Sequence, residues 1–167
     1  GSFYADDPGC DRHIVGVALV TYAAVLVGLS RYRLKGEVRH RAWVMDELRD
    51  MGATSYDFNE RMMERWGKYE YRAYLDHNLG PAGTRDFINS QLAEKGPGSL
   101  EAGIGLIRTM LHLGELQIAR KCTTLRYELE NYRRDDDGML VEEDDHLIAA
   151  LRYALFSVVG KHRTIEV

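Results

Sequence analysis

The chain has little cysteine and little net charge. Only two of its 167 residues are cysteine, Cys10 and Cys122, and their wide separation predicts neither a disulfide framework nor a zinc site. A reducing compartment is therefore the simplest expectation. The formal net charge of −4 excludes a generic polycation that coats nucleic acid, but it allows an acidic site with basic residues acting locally.

Long uncharged runs are also nearly absent. The one such run extends from Ile14 to Leu29 and is near the lower length limit for a membrane-spanning helix. It is rich in valine and contains two glycines, and basic residues flank it on both sides. Two buried strands in a hairpin suit this composition better than a membrane span, so we predict no membrane association.

The phosphate-binding loop of an ATPase is missing, because the sequence contains no Gly-x-x-x-x-Gly-Lys-Ser/Thr motif. Residues 1–2, Gly-Ser, are typical of residues left by cloning, and we expect the fragment to be cut from a longer protein. A composition of 45% hydrophobic and 29% charged residues is that of a folded domain. We assign residues 3–167 to one domain with its own core.

What the chain does contain is an alternation of strand and helix patterns. Strands are predicted at 3–7, stopped by Pro8-Gly9, and at 13–21, 25–34, 69–75 and 115–119. Apolar residues at helical spacing predict a helix through Val38, Ala42, Met45 and Leu48. Further helices are predicted near 57–66, at 85–95, 99–113 and 121–132, and from residue 146 onward. This order predicts an α/β domain with a mixed sheet.

Acidic residues follow two predicted strands and open the last helix. Asp7 ends the first strand, Asp76 follows the strand 69–75, and four consecutive acids at 142–145 precede His146. A helix N-terminus favours negative charge, but four acids exceed what capping needs. Carboxylates suit Mg²⁺ or Mn²⁺, and two such ions about 4 Å apart can cleave a phosphodiester. Strand-end acids are also common in solvent-exposed loops, so spacing alone leaves both interpretations open.

Two further sets of residues have alternative interpretations. Asp6 competes with Asp7, because adjacent strand residues face opposite ways, and the Pro-Gly that follows favours Asp7. Arg31, Arg33 and Lys35 alternate, so a strand would place all three on one face, where they could contact DNA phosphates. A solvated sheet face explains these three residues equally well.

Several of these segments resemble the C-terminal nuclease domain of the large terminase subunit of tailed double-stranded DNA bacteriophages. The segment 145–155 is similar to the family's terminal pattern DHAIDALRYAL. Asp7-Pro8-Gly9 resembles the DPG that ends the family's first strand, and Tyr74-Leu75-Asp76 matches the end of its fourth strand. The resemblance covers nearly the whole chain and implies a ribonuclease-H-like fold, an α/β domain with a five-stranded mixed sheet flanked by helices.

The resemblance also implies metal-dependent endonucleolytic cleavage of double-stranded viral DNA during genome packaging. Asp7, Asp76 and Asp145 would be catalytic and, together with His146, would hold two ions of Mg²⁺ or Mn²⁺. Ala149 departs from the pattern, because the family has a second Asp there that is a metal ligand in several relatives. Either Asp145, Asp144 or His146 takes the third position, with Asp145 favoured by its Asp-His context, or the site is weakened.

Partners follow from the same resemblance. It implies a packaging ATPase upstream of this sequence, the terminase small subunit and the portal as partners, and action in the cytoplasm of the infected bacterium. A resolvase-like nuclease acting on branched DNA is one alternative, although the terminal Ala-Leu-Arg-Tyr-Ala-Leu counts against it. A non-enzymatic DNA-binding or portal-docking module, with a site that has decayed through Ala149, is another.

Overall fold

The computed structural model describes residues 3–4 (backbone only), 8–19, 22–132, 135–139 and 145–160. The strands are β1 (Phe3–Tyr4), β2 (Arg12–Ala18), β3 (Tyr22–Leu34), β4 (Glu37–Asp50), β5 (Arg72–Leu75), β6 (Ser90–Leu92) and β7 (Leu116–Ala119). The α-helices are α1 (Ser55–Trp66), α2 (Gly80–Asp86), α3 (Ser99–His112), α4 (Thr123–Asn131) and α5 (His146–Val158). Short 3-10 turns occupy Gly67–Tyr69 and His77–Leu79.

The described strands form one mixed sheet in the order β1-β7-β4-β3-β2-β5-β6. Strand β3 is antiparallel to both of its neighbours, β2 and β4, whereas all other neighbouring strands pair in parallel. All described strands except β3 therefore end at the same side of the sheet, which we call the carboxyl edge. The predicted α/β class and mixed sheet are confirmed, with seven strands instead of five.

Strand β4 shows that the helix predicted through Val38, Ala42, Met45 and Leu48 is wrong. Ala42 packs on one face of the sheet and Met45 and Leu48 on the other, so their spacing did not mark a single helical face. A strand buried on both faces carries apolar residues at every spacing. The turn before it is Lys35-Gly36, with φ of 51° and 82°, and it forms a two-residue hairpin without an Asn-Gly signal.

Two helix predictions also need correction. The helix predicted at 85–95 is wrong, because α2 already begins at Gly80, with a proline in its first turn, and the chain then enters β6. Helix α1 begins earlier than predicted, since the side chain of Thr54 accepts a hydrogen bond from the Asp57 amide. The predicted hairpin within 14–29 is confirmed as β2 and β3. In the described part of the chain, no helix is long and apolar enough to cross a membrane.

Each face of the sheet carries its own core. Helix α1 covers one face through Phe58, Met62 and Trp66, and we call this the α1 face. The opposite face, the α5 face, is covered mainly by α5 and α3. Helix α5 lies directly on β2 because Gly16 has no side chain, and a Cβ there would be 1.7 Å from the carbonyl oxygen of Ala150. Fully buried leucines of α5 contribute roughly 2 kcal/mol each to this packing.

Candidate active site at the carboxyl edge

Asp76 follows β5 at the carboxyl edge, at the strand end where the sequence placed it. Its amide donates to the carbonyl oxygen of Val17 at 2.8 Å, which extends the pairing of β5 with β2. The residue is only 5% exposed. One carboxylate oxygen accepts from the amide of Leu19 at 3.2 Å, and the other accepts from the amide of Asn78 at 3.0 Å. Backbone amides of two segments therefore hold the carboxylate.

A side chain of α5 also reaches Asp76. The hydroxyl of Tyr153 lies close enough to its carboxylate for the two groups to interact. Burial and then the charge of Asp76 raise the pKa of Tyr153, while the charge of Arg152 opposes the increase. The guanidinium of Arg152 lies 4.7 Å from the centre of the Tyr153 ring. The helix and the strand end are thus joined at this carboxylate.

Two alanines stand beside Asp76 on the α5 face. Val17 of β2 pairs with Leu75 of β5, so the next residues, Ala18 and Asp76, are neighbours across the two strands. Ala18 is fully buried in the core beneath α5. Ala149 lies one helical turn before Tyr153 and packs against the same core. We call these four residues (Asp76, Ala18, Ala149 and Tyr153) the Asp76 centre, and it contains one carboxylate.

The predicted third ligand lies further along α5. Asp145 occupies the N-cap position, where its side chain makes no capping hydrogen bond, and His146 is the first helical residue. At about 1.5 Å per residue, both lie roughly 10 to 12 Å along the helix axis from Tyr153. Within the described residues, no three His, Cys, Asp or Glu side chains form a group that could hold a metal ion.

Asp7 lies outside the described residues, as do Asp6 and Asp144. Strand β1, which precedes Asp7, is separated from β5 by four strands. Five strand spacings correspond to about 24 Å. The strand that pairs with β5 is β2, so this topology makes Ala18, and not Asp7, the strand neighbour of Asp76. Sequence reasoning missed this position, although the strongly apolar run around it is typical of a central strand.

No role was predicted for Glu128, yet it caps α5. One of its carboxylate oxygens accepts hydrogen bonds from the amides of Leu147 and Ile148, at 2.9 and 3.1 Å. The other oxygen is buried and has no hydrogen-bond partner among the described residues. The pKa of Glu128 is raised to about 7: burial is the main cause and nearby Asp145 contributes, while the two amides and Arg49 oppose the increase.

The predicted DNA-contacting residues lie at the opposite end of the sheet. Arg31 and Arg33 are exposed on one face of the β3–β4 hairpin, as predicted, whereas Lys35 belongs to its turn. Ala23 pairs with Ala18 beside Asp76. At about 3.3 Å per residue, the turn is roughly 40 Å from Ala23 along β3. A duplex at the tip of this hairpin would therefore be remote from Asp76.

Neither a family model nor a curated protein matches the chain, but solved structures do. The nuclease domain of the phage P22 large terminase has a TM-score of 0.68 and 14% identity, with 96% of this chain and 88% of that chain covered. The nuclease domain of the bacteriophage SPP1 large terminase, with bound Mn, has a TM-score of 0.64 and 21% identity. That match covers 92% of this chain and 95% of that chain.

A longer chain is also similar. The large terminase of the thermophilic bacteriophage D6E, in complex with ATP-gamma-S, has a TM-score of 0.71 and 16% identity. The match covers 95% of this chain but 43% of that chain, so this chain spans less than half of the D6E protein. All three matches extend over nearly the whole sequence. The chain therefore has the fold of the nuclease domains of phage large terminases.

Proposed function

We propose that this chain is the nuclease module of a phage DNA-packaging large terminase and acts on double-stranded viral DNA. The fold supports this proposal, because the similarity to two isolated nuclease domains extends over at least 92% of the chain. The observation that carries it is this match in fold, and Asp76 marks the strand end of this chain where β2, β5 and α5 meet. Catalytic groups in α/β sheets are found at such carboxyl edges.

A divalent ion in such a module would activate water and stabilise the leaving oxygen of the phosphodiester. The described residues of the Asp76 centre do not fit two such ions. Asp76 supplies one carboxylate, and both of its oxygens already accept hydrogen bonds. Ala18 and Ala149 have no oxygen to offer. No cleavage step follows from these residues, and the ligand set Asp7, Asp76, Asp145 and His146 stays a proposal.

Two activities therefore stand as candidates for this module. Metal-dependent endonucleolytic cleavage by one or two ions of Mg²⁺ or Mn²⁺ is favoured by the similarity to the SPP1 nuclease domain, whose structure contains Mn. Binding of double-stranded DNA without cleavage is favoured by the two alanines of the Asp76 centre. The second candidate agrees better with the side chains that the structure describes.

Plasmid cleavage and DNA binding, measured on the same samples, separate these candidates. The chain is compared with Asp76→Asn and with Asp57→Asn, a matched change at an exposed residue of α1. Cleavage in Mn²⁺ that Asp76→Asn abolishes and Asp57→Asn retains would support the endonuclease. Binding of linear duplex without cleavage would support the second candidate. If the chain neither binds nor cleaves duplex DNA at high protein concentration, the proposed function is overturned.

We also propose that residues 3–167 form one domain that works with an upstream packaging ATPase, the small subunit and the portal in the host cytoplasm. The D6E match supports the first partner, because that protein is more than twice as long as the matched region and binds ATP-gamma-S. The test is ATP hydrolysis by the full-length protein, which the chain alone should lack. ATP hydrolysis by this chain alone would contradict the proposal that a separate upstream domain is the ATPase.

A further inference from the structure

We infer that residues 18 and 149 decide whether this domain can hold a divalent ion, and that with alanine at both positions Asp76 acts as a structural hydrogen-bond acceptor. The inference rests on the proposed function in one respect, because it assumes that the domain acts on duplex DNA. It concerns the chemistry of the Asp76 centre itself and can be tested without DNA.

The first step concerns residue 18. Ala18 and Asp76 are neighbours on parallel strands and face α5. Neighbouring strands are about 4.8 Å apart, so carboxylates at both positions could share an ion with bonds of about 2.1 Å. A methyl group at residue 18 instead completes the apolar core beneath α5, where Ala18 is fully buried.

The second step concerns residue 149. Ala149 and Tyr153 lie one turn apart on the same face of α5, and both pack against the core that contains Ala18. Because Tyr153 reaches Asp76, a carboxylate at residue 149 would face the space above the same strand ends. The centre thus has places for three carboxylates, and two of them are filled by methyl groups.

The third step concerns the hydrogen bonds of Asp76. Its carboxylate accepts from two backbone amides, and the hydroxyl of Tyr153 lies beside it. No lysine or arginine of the described residues forms an ion pair with it. Two amides satisfy the oxygens, and together with the neighbouring hydroxyl these neutral groups join β5, the loop after β2 and α5. This arrangement gives the carboxylate a structural role beside two alanines.

Binding of Mn²⁺ alone, measured by calorimetry and by the thermal midpoint, tests the inference. The variants are Ala18→Asp/Ala149→Asp and the matched pair Ala18→Asn/Ala149→Asn, which has the same shape without charge. We expect the Asp pair to bind Mn²⁺ at least tenfold more tightly than the Asn pair. Adding Asp76→Asn should remove this gain. Mn²⁺ should raise the thermal midpoint of the Asp pair by several degrees and leave that of the unchanged chain in place.

Two results would overturn the inference. One is equal Mn²⁺ affinity of the Asp and Asn pairs. The other is an unchanged chain that binds Mn²⁺ at least tenfold more tightly than its own Asp76→Asn variant, since Asp76 would then be a ligand beside two alanines. If the buried Ala18→Asp change prevents folding, Ala149→Asp is compared with Ala149→Asn, because residue 149 is only half-buried. The same tenfold criterion then applies.

Duplex binding measured in EDTA keeps this inference separate from the proposed function. If neither the unchanged chain nor any variant binds duplex DNA while the Mn²⁺ results are as expected, the proposed function is contradicted and the inference stands. If the unchanged chain and all variants bind duplex DNA but the Asp pair gains no Mn²⁺ affinity, the inference is contradicted and the proposed function stands.

Discussion

Asp46 and Asp76 are two buried carboxylates on opposite faces of the sheet, and they are satisfied in different ways. Asp46 of β4 is 6% exposed and accepts from the guanidinium of Arg65 at 2.6 and 3.0 Å and from the indole of Trp66 at 2.8 Å. The ammonium of Lys121 lies 3.8 Å away. Asp76, which is 5% exposed, accepts from two backbone amides and has the neutral hydroxyl of Tyr153 beside it, with no cationic donor among the described residues.

Asp46 is therefore part of an ion pair, whereas Asp76 forms no ion pair with a cation among the described residues. Burial alone would raise the pKa of Asp46, but the hydrogen bonds from Arg65, Trp66 and the Glu47 amide lower it overall. Its charge is therefore neutralised inside the α1 face and joins α1 to β4. The charge of Asp76 is compensated by neutral donors, so this is the acid at which a cation could be added.

The largest expected effect comes from separating α5 from the strand beneath it. Gly16→Ala would place a Cβ 1.7 Å from the backbone carbonyl oxygen of Ala150, and backbone cannot move aside like a flexible side chain. We expect a loss of about 3 kcal/mol or more in the free energy of unfolding, measured with urea. The α5 face should loosen, whereas the hydrogen bond from Trp66 to Asp46 should survive in any folded fraction.

The matched control for this prediction is Gly105→Ala in α3, where an added Cβ would meet no atom within 4 Å. Alanine is a better helix former than glycine, so this variant should gain about 0.5 to 1 kcal/mol. A Gly16→Ala protein as stable as the unchanged chain would show that α5 does not lie directly on β2.

The next largest effect is expected when each of the two buried carboxylates is replaced by a neutral amide. Asp46→Asn leaves Arg65, whose side chain is 49% exposed, without its anion and gives Trp66 a neutral acceptor, so we expect a loss of about 2 kcal/mol in the free energy of unfolding. Asp76→Asn removes no ion pair among the described residues and keeps one acceptor oxygen, so a loss of about 1 kcal/mol is expected. Chemical denaturation of both variants measures the difference. Equal losses would mean that the two carboxylates are not held differently.

The cap of α5 provides a pH-dependent test. The pKa of Glu128 is raised by burial to about 7, so the folded state holds its proton more tightly than the unfolded chain. Its contribution to stability is therefore fully present below about pH 4.5 and is lost as the pH rises toward 7. We expect the free energy of unfolding to fall over this range by on the order of 2 kcal/mol because of this residue.

Glu128→Gln should remove that part of the pH dependence, because an amide does not titrate and its oxygen still accepts from the helix amides. The measurement is urea unfolding at several values between pH 4.5 and 7. Glu130→Gln, at an exposed residue of the same helix, is the control and should leave the slope unchanged. Identical slopes in Glu128→Gln and the unchanged chain would contradict the assignment.

Local features were predictable from the sequence, whereas strand pairing was not. The end of β5 at Asp76 and the start of α5 after the acids followed from apolar runs and charge. The pairing of β1 with β7, over a hundred residues away, leaves no local trace in the sequence. The grouping of Asp7 with Asp76 stays a prediction, because Asp7 lies outside the described residues. Ala18 carries no chemical signal of its own, and its importance comes only from the register of β2 with β5.

The smallest predicted effect measures the contact that joins the two parts of the Asp76 centre. Tyr153→Phe removes the hydroxyl that lies beside Asp76 and leaves the two amides from which the carboxylate accepts, so we expect a loss of about 1 kcal/mol in the free energy of unfolding. A double-mutant cycle with Asp76→Asn should give a coupling energy of about 1 kcal/mol. Tyr127→Phe, at a tyrosine that is 58% exposed, should show none. Zero coupling between Tyr153 and Asp76 would mean that α5 is held by packing alone, and the structural role inferred for this carboxylate would then fail.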